Sequence, residues 1–206
     1  MSNTYERRPV AGREEFLITL TEALERGTAL ALALTDIDGL APVNAEHGQE
    51  VGDEVIGGWE RILDSNVPGD AAVVRLGGDE YAVLLPGYSA ETALILLDEI
   101  RGHFARHEVP VAGRLTASVG VAASPPHGTT SEELWQNAQQ ALMRAKRDGR
   151  NRVAIYVDEK MVLKSNYYPR GNLERLAKLS EATARTEASL LREALDAVLD
   201  RYRDLL

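Results

Sequence analysis

The chain has no cysteine among its 206 residues. That removes disulfide frameworks and thiolate metal sites, and it fits a reducing compartment. No apolar run approaches the ~20 residues that cross a bilayer, so no membrane partner is expected. The opening residues, MSNTYERRPVAG, lack the apolar core of a signal peptide. Together these absences predict a soluble, cytoplasmic protein. The four histidines, His47, His103, His107 and His127, are scattered and suggest no metal site. There is no internal repeat and no low-complexity linker.

What is present suits a globular chain, 44% hydrophobic and 27% charged, long enough for one full domain and a small second unit. The net charge of −9 argues against nucleic acid until the chain is divided. Residues 1–159 carry 14 basic and 25 acidic side chains, whereas residues 160–206 carry 9 and 7. An acidic body with a mildly basic tail hints at a separate task for the tail, although such a charge is also common on a solvated helical surface.

Periodicity gives a coarse layout. Residues 13–27 place Phe16, Leu17, Leu20 and Leu24 at helical spacing and end in Gly27. TALALALTDID reads as a buried strand ending in acids. A helical stretch near 49–65 follows, then a hairpin over 71–85. A helix over 89–107 has Ser89 as its candidate N-cap. A strand over 114–123 precedes a helix opened by Thr130 and Glu133 at capping-box spacing. NRVAIYV reads as the last strand. This order predicts an α/β sandwich, an α+β arrangement of helices packed on a mostly antiparallel sheet. The expected division is an arm over 1–12, a domain over 13–158 and a tail over 159–206.

The acids fall in telling places. Asp36 and Asp38 end a strand, and Asp79 and Glu80 sit at a hairpin tip beside Gly77 and Gly78. If the two strands pair, the carboxylates converge, and clustered carboxylates call for a hard cation such as Mg²⁺. Glycines without a side chain let a backbone approach a bulky anion. Lys146 and Arg150, at the end of a helix, can clamp phosphates. A flexible turn with solvated acids, and a helix C-terminus satisfied by basic residues, explain the same features without a ligand. The combination points to metal-assisted phosphoryl transfer on a nucleoside triphosphate.

From about Arg13 to Tyr156 the chain resembles GGDEF domains, the bacterial diguanylate cyclases. The match runs through DIDGLAPVNAEHGQEVGDEV (36–55), RLGGDEY (75–81), TASVGVAASP (116–125) and AQQALMRAKRDGRNRV (138–153), in order and in spacing. The resemblance implies two facing domains that join two GTP molecules into cyclic di-GMP with Mg²⁺ or Mn²⁺. By resemblance, Asp36, the carbonyl of Ile37, Asp79 and Glu80 form the metal site, with Asp79 and Glu80 catalytic. Gly77 and Gly78 would lie against phosphate and ribose, Asn44 and Asp53 would read guanine, and Lys146 and Arg150 would hold the terminal phosphates. A domain that binds GTP or cyclic di-GMP without turnover is the alternative.

Several positions depart from the family pattern. Leu40-Ala41 stands where Phe-Lys is usual, and a lost charged contact costs ~1.5–3 kcal/mol. Ala45, Gln49, Tyr81, Gln139 and Met143 also differ. The usual inhibitory Arg-x-x-Asp is replaced by Val67-Pro68-Gly69-Asp70, so no high-affinity inhibitory site of that kind is expected. The N-terminal turn that usually links to an upstream sensor is missing, so no upstream domain is expected.

The tail is expected to hold a helix from about Gly171 to Ala184 and a second after Thr186, a good N-cap, with a wide apolar face. YYPRGNLERLAKLSEATARTEASLLREALDAVLDRY (167–202) resembles ribbon-helix-helix DNA-binding domains. That implies a homodimer whose paired strands enter DNA. Candidate contacts are Leu163, Ser165 and Tyr167 in one register, or Lys164, Asn166 and Tyr168 in the other, together with Arg170. A plain dimerising helical hairpin on a scaffold protein reads the same face.

Overall fold

The computed structural model describes residues 12–157, 166–183 and 185–202, apart from the side chains of residues 192, 196 and 200. It separates into two compact units, residues 1–157 and 158–206.

In the first unit, helix α1 (Arg13–Glu25) precedes strand β1 (Leu30–Asp38). Eight of its nine residues are buried, as an unbroken apolar run at the middle of a sheet requires. Helices α2 (Leu40–His47) and α3 (Gln49–Asn66) follow, then β2 (Ala72–Gly77), β3 (Glu80–Pro86), α4 (Ala90–Arg106), β4 (Thr116–Ser124), α5 (Ser131–Arg147) and β5 (Val153–Ile155). The strands form one mixed sheet in the order β2-β3-β1-β4-β5. Only the β4–β5 pairing is parallel.

The expected α/β sandwich is therefore observed as a five-stranded sheet flanked by helices. Ser89 and Thr130 cap α4 and α5, each in a capping box. Helix α2 is an addition to the layout read from sequence. Pro42 hides it from a propensity reading, yet in a first turn the missing N–H would have had no helical partner anyway.

Alternation along β1 divides the core. Ala31, Ala33 and Ile37 face α3 and α4, where Trp59 and Phe104 meet edge to face with ring centroids 5.0 Å apart. Leu30, Leu32 and Leu34 face Phe16 and Leu20 of α1 and Leu134, Ala138 and Leu142 of α5. Asp36 and Asp38 continue this second set, so both belong to the α5 face.

Gly120 on β4 explains how closely α5 lies on the sheet. A Cβ there would stand 2.1 Å from the Leu142 amide nitrogen and 2.3 Å from the Ala138 carbonyl oxygen. Both obstacles are helix backbone and cannot swing aside. Lys146 lies one turn beyond Leu142, which carries it towards the end of β1.

In the second unit, α6 (Arg170–Thr183) and α7 (Glu187–Arg201) form a helical pair. The Ser189 amide donates to Thr186 Oγ1 at 3.2 Å, the expected cap. Helix α6 buries none of its residues. Leu173, Leu179, Leu195, Val198 and Leu199 are all exposed. No described helix is long and apolar enough to cross a membrane.

Gly120→Ala is expected to lower unfolding stability by about 3 kcal/mol, because α5 must lift from the sheet. Chemical denaturation measures this, and a loss below ~0.5 kcal/mol would contradict the close approach.

Candidate active site at the sheet edge

The site is assembled by strand register. Asp36 lies directly opposite Glu80 on β3 and Ser118 on β4. Directly opposed residues share a face, so these three belong to the α5 side of the sheet. The β2–β3 turn consists of Gly78 and Asp79, between the paired residues Gly77 and Glu80. The Ile37 amide donates to the Asp79 carbonyl at 3.2 Å and ties that turn to the end of β1. Arg75 donates to the Gly78 carbonyl from Nε at 3.0 Å and from Nη2 at 2.7 Å.

The two glycines are required by conformation rather than crowding. Gly77 has φ 150° and Gly78 φ 55°, and a Cβ at either would meet open space. That space lies at the turn bearing Asp79, where an anion held by a cation would need room.

Lys146 reaches this cluster from α5, with Nζ 2.6 Å from Asp36 Oδ2. Burial nevertheless pushes the Asp36 carboxyl above the ordinary range and outweighs the ammonium. The nearby charges of Asp79 and Asp38 push the same way, which places Asp79 within electrostatic reach of Asp36. Arg150 follows the end of α5, with Nε 4.0 Å from Asp38 Oδ1.

These donors suit a hard divalent cation. They are carboxylate and carbonyl oxygens, the ligands such a cation prefers, and a cation on Asp36 would share that carboxylate with the Lys146 ammonium. Among the described residues, no three or more His, Cys, Asp or Glu side chains form a ready cage. Mg²⁺ commonly takes one or two carboxylates and completes its shell with phosphate oxygens and water, so a full protein cage is not required.

Asn44 and Asp53 form a second neighbourhood where α2 packs on α3. A Cβ on Gly52 would fall 1.7 Å from Asn44 Oδ1, so a larger residue there would push the Asn44 amide out of its present position. Asn44 Oδ1 is buried and accepts no hydrogen bond there. Asp53, the next residue along α3, is exposed. Tyr81 sits in the core, with its hydroxyl donating to Glu60 Oε1 at 2.9 Å. Burial and Glu60 push the phenol well above its usual range. This pair and Arg75 border a cavity of about 170 Å³ between α3 and β2.

Residues 10–152 match the family model for the GGDEF domain of diguanylate cyclases. The chain belongs to the GGDEF family. It is 32% identical over 158 residues to the response regulator PleD of Caulobacter vibrioides, covering 74% of this chain and 34% of that protein. It is 38% identical over 123 residues to diguanylate cyclase DgcM of Escherichia coli, covering 60% and 30%. The chain thus spans about a third of the length of these curated relatives. Among solved structures, the active GGEEF domain of a diguanylate cyclase from Vibrio cholerae superposes with a TM-score of 0.69 at 27% identity, covering 73% of this chain and 99% of that one. The GGDEF domain of DgcB from Caulobacter crescentus, solved with c-di-GMP, gives 0.66 at 28%, covering 76% and 97%.

In this GGDEF domain the fold brings Asp36, Asp79, Glu80 and Lys146 to one sheet end, with Arg150 beside them at Asp38. Sequence reading did not single out Thr116, Ser118 or Asn151, all of which hold Asp38. The signal was the i, i+2 spacing of Asp36 with Asp38 and of Thr116 with Ser118, which gives each pair a common face.

The described residues of the tail give no comparable assembly. Leu163, Lys164 and Ser165 lie outside the described residues. Asn166 and Tyr167 are exposed coil, and Arg170 opens α6 and pairs with Glu174 at 3.2 Å. The family match ends before the tail, and no ribbon strand occurs among its described residues.

Lys146→Met removes the group that lowers the Asp36 pKa, so carboxyl NMR should show Asp36 titrating at higher pH than in wild type. A carboxyl with a raised folded pKa holds more protons folded than unfolded. Stability therefore falls as pH climbs from the ordinary aspartate value of about 4 through the folded one, and falls further in Lys146→Met. An unmoved Asp36 titration would contradict the pairing.

Proposed function

We propose that the chain is a diguanylate cyclase that joins two GTP molecules into cyclic di-GMP. The supporting observation is the alignment of Asp36 with Glu80 across β1 and β3, with Lys146 on Asp36 and the Gly78-Asp79 turn alongside. In each of two steps, the 3′-oxygen of one GTP bonds to the α-phosphorus of the other and pyrophosphate leaves. Both hydroxyl protons are lost, giving one cyclic di-GMP and two pyrophosphates.

Asp36, the Ile37 carbonyl, Asp79 and Glu80 would hold Mg²⁺ or Mn²⁺, which would neutralise phosphate charge and make the attacking hydroxyl more acidic when bound. Asp79 and Glu80 would take up that proton. Lys146 and Arg150 neutralise the terminal phosphates and the departing pyrophosphate. Asp53 has an exposed carboxylate, and the Asn44 carbonyl, unengaged but buried against Gly52, would turn outward; both would then accept hydrogen bonds from the N1–H and amino edge of guanine. That edge distinguishes guanine from adenine.

A GTP- or cyclic di-GMP-binding domain without turnover is the second reading. Ala41 in place of the usual lysine supports it, because one phosphate contact is missing.

The chain holds one half-site, and the reaction needs two. We infer a homodimer built on the apolar faces of α6 and α7, which are too exposed to be stable as an isolated hairpin. Our finer reading is a DNA-binding dimer of the ribbon-helix-helix kind, supported by sequence resemblance and the mildly basic tail. Leu163, Lys164, Ser165, Asn166, Tyr167 and Arg170 would be its contacts. Nucleotide binding would then bias the dimer between DNA-competent and incompetent geometries. A dimeric scaffold without either activity is the remaining alternative.

Incubation with GTP and Mg²⁺ followed by nucleotide chromatography should yield cyclic di-GMP from wild type and none from Glu80→Ala or Asp79→Ala. GTP binding without product at any protein concentration would favour the second reading. Removal of residues 159–206 should abolish the dimer and any salt-dependent DNA binding. Equal DNA binding by the shortened chain would eliminate the DNA role.

A further inference from the structure

We infer that Asp38 is a positioning residue whose carboxylate fixes the turn presenting Arg150 to the nucleotide phosphates. The inference rests on the GTP-site reading above and adds a residue that reading leaves without a role. Asp38 shares a strand face with Asp36, yet its surroundings differ. Its side chain is 7% exposed. Oδ1 accepts from Ser118 Oγ at 2.7 Å, and Oδ2 accepts from Thr116 Oγ1 at 2.7 Å and from the Asn151 amide at 3.1 Å. A carboxylate already engaged by three donors is poorly placed to join a metal shell and well placed to hold a loop.

The loop it holds needs holding. Arg150 and Asn151 have φ 60° and 48°, two successive left-handed residues that are not glycine. Asparagine tolerates this region through local hydrogen bonds, whereas arginine does so only when its surroundings impose it. Here they act from both sides. The Arg150 amide donates to the Ala145 carbonyl at 3.0 Å, and the Asn151 amide is taken by Asp38. Asn151 Oδ1 accepts from Arg101 Nη1, and Arg101 is itself held by Asp98 at 2.8 Å.

The Arg150 backbone is therefore fixed before any ligand arrives. Its side chain remains 62% exposed, with Nε 4.0 Å from Asp38, where the guanidinium is attracted but not locked. Ordering the loop in advance reduces the entropy cost of closing a cationic clamp on a triphosphate.

The test is a double-mutant cycle on the full chain, read as the Kd for GTP by calorimetry. Asp38→Ala and Arg150→Ala are each expected to weaken binding roughly ten- to a hundredfold. The double variant is expected to bind no more weakly than Arg150→Ala, because Asp38 acts through Arg150. Asp38→Asn should recover most of the affinity lost in Asp38→Ala. Its amide oxygen still accepts from Thr116 and Asn151, and its amide nitrogen donates to Ser118. Additive losses in the double variant, or unchanged affinity in Asp38→Ala, would overturn the inference.

Amide hydrogen exchange in nucleotide-free wild type provides a test that needs no variant. The Asn151 amide should be protected, and an unprotected amide would overturn the positioning role even if GTP binds. Failure of wild type to bind GTP, with Asn151 protected, would instead overturn the GTP-site reading and, with it, the assignment of this loop to phosphate.

Discussion

The pairing of β1 on both edges is the constraint on which the site depends. Nine consecutive residues are committed to β4 and seven to β3, all in antiparallel register. Because side chains alternate, a slip of one residue would send Asp36 and Asp38 to the opposite face and bring Ile37 out of the core. The apolar residues prevent that slip. Leu30, Leu32 and Leu34 pack with α1 and α5, while Ala31, Ala33 and Ile37 pack against α3 and α4. The placement of Asp36 and Asp38 at the end of β1 is thus enforced by hydrophobic packing up to 20 Å away, at ~3.4 Å per strand residue.

Carboxylates gathered in this way repel one another, and the fold supplies compensation from α5. That helix lies so close to β4 that only glycine fits at position 120, and the same approach delivers the Lys146 ammonium to Asp36. Asp38 is satisfied differently, by hydroxyls of β4 and a backbone amide. Two aspartates, two residues apart on one face, therefore have distinct environments. One is paired with the Lys146 ammonium beside the Gly78-Asp79 turn, and the other is locked into a hydrogen-bonded network.

Much of this was legible in the residues. The apolar run of β1, the Thr130 capping box, the Ser89 N-cap and the glycine pair each carry a local signal, and the motifs around Asp36 and Asp79 identify the family without coordinates. Three features were not legible. Helix α2 was obscured by Pro42 in its first turn. The Asp38 network joins residues 78, 80 and 113 positions apart, and only the fold brings such partners together. The tail's helices showed clear caps and periodicity, but a short amphipathic pair has the same sequence pattern whether it covers a second chain or binds DNA.

The central claim is that Asp36, Asp79 and Glu80 share a hard cation with a triphosphate at the end of β1. Paramagnetic broadening by Mn²⁺ in the presence of a non-hydrolysable GTP analogue tests it directly. The account predicts that amide resonances of residues 36–38, 78–80 and 146 broaden first, while those of Leu30 and Leu85, at the far end of the same strands, broaden least. Broadening centred elsewhere, or none at these residues with the analogue bound, would contradict it.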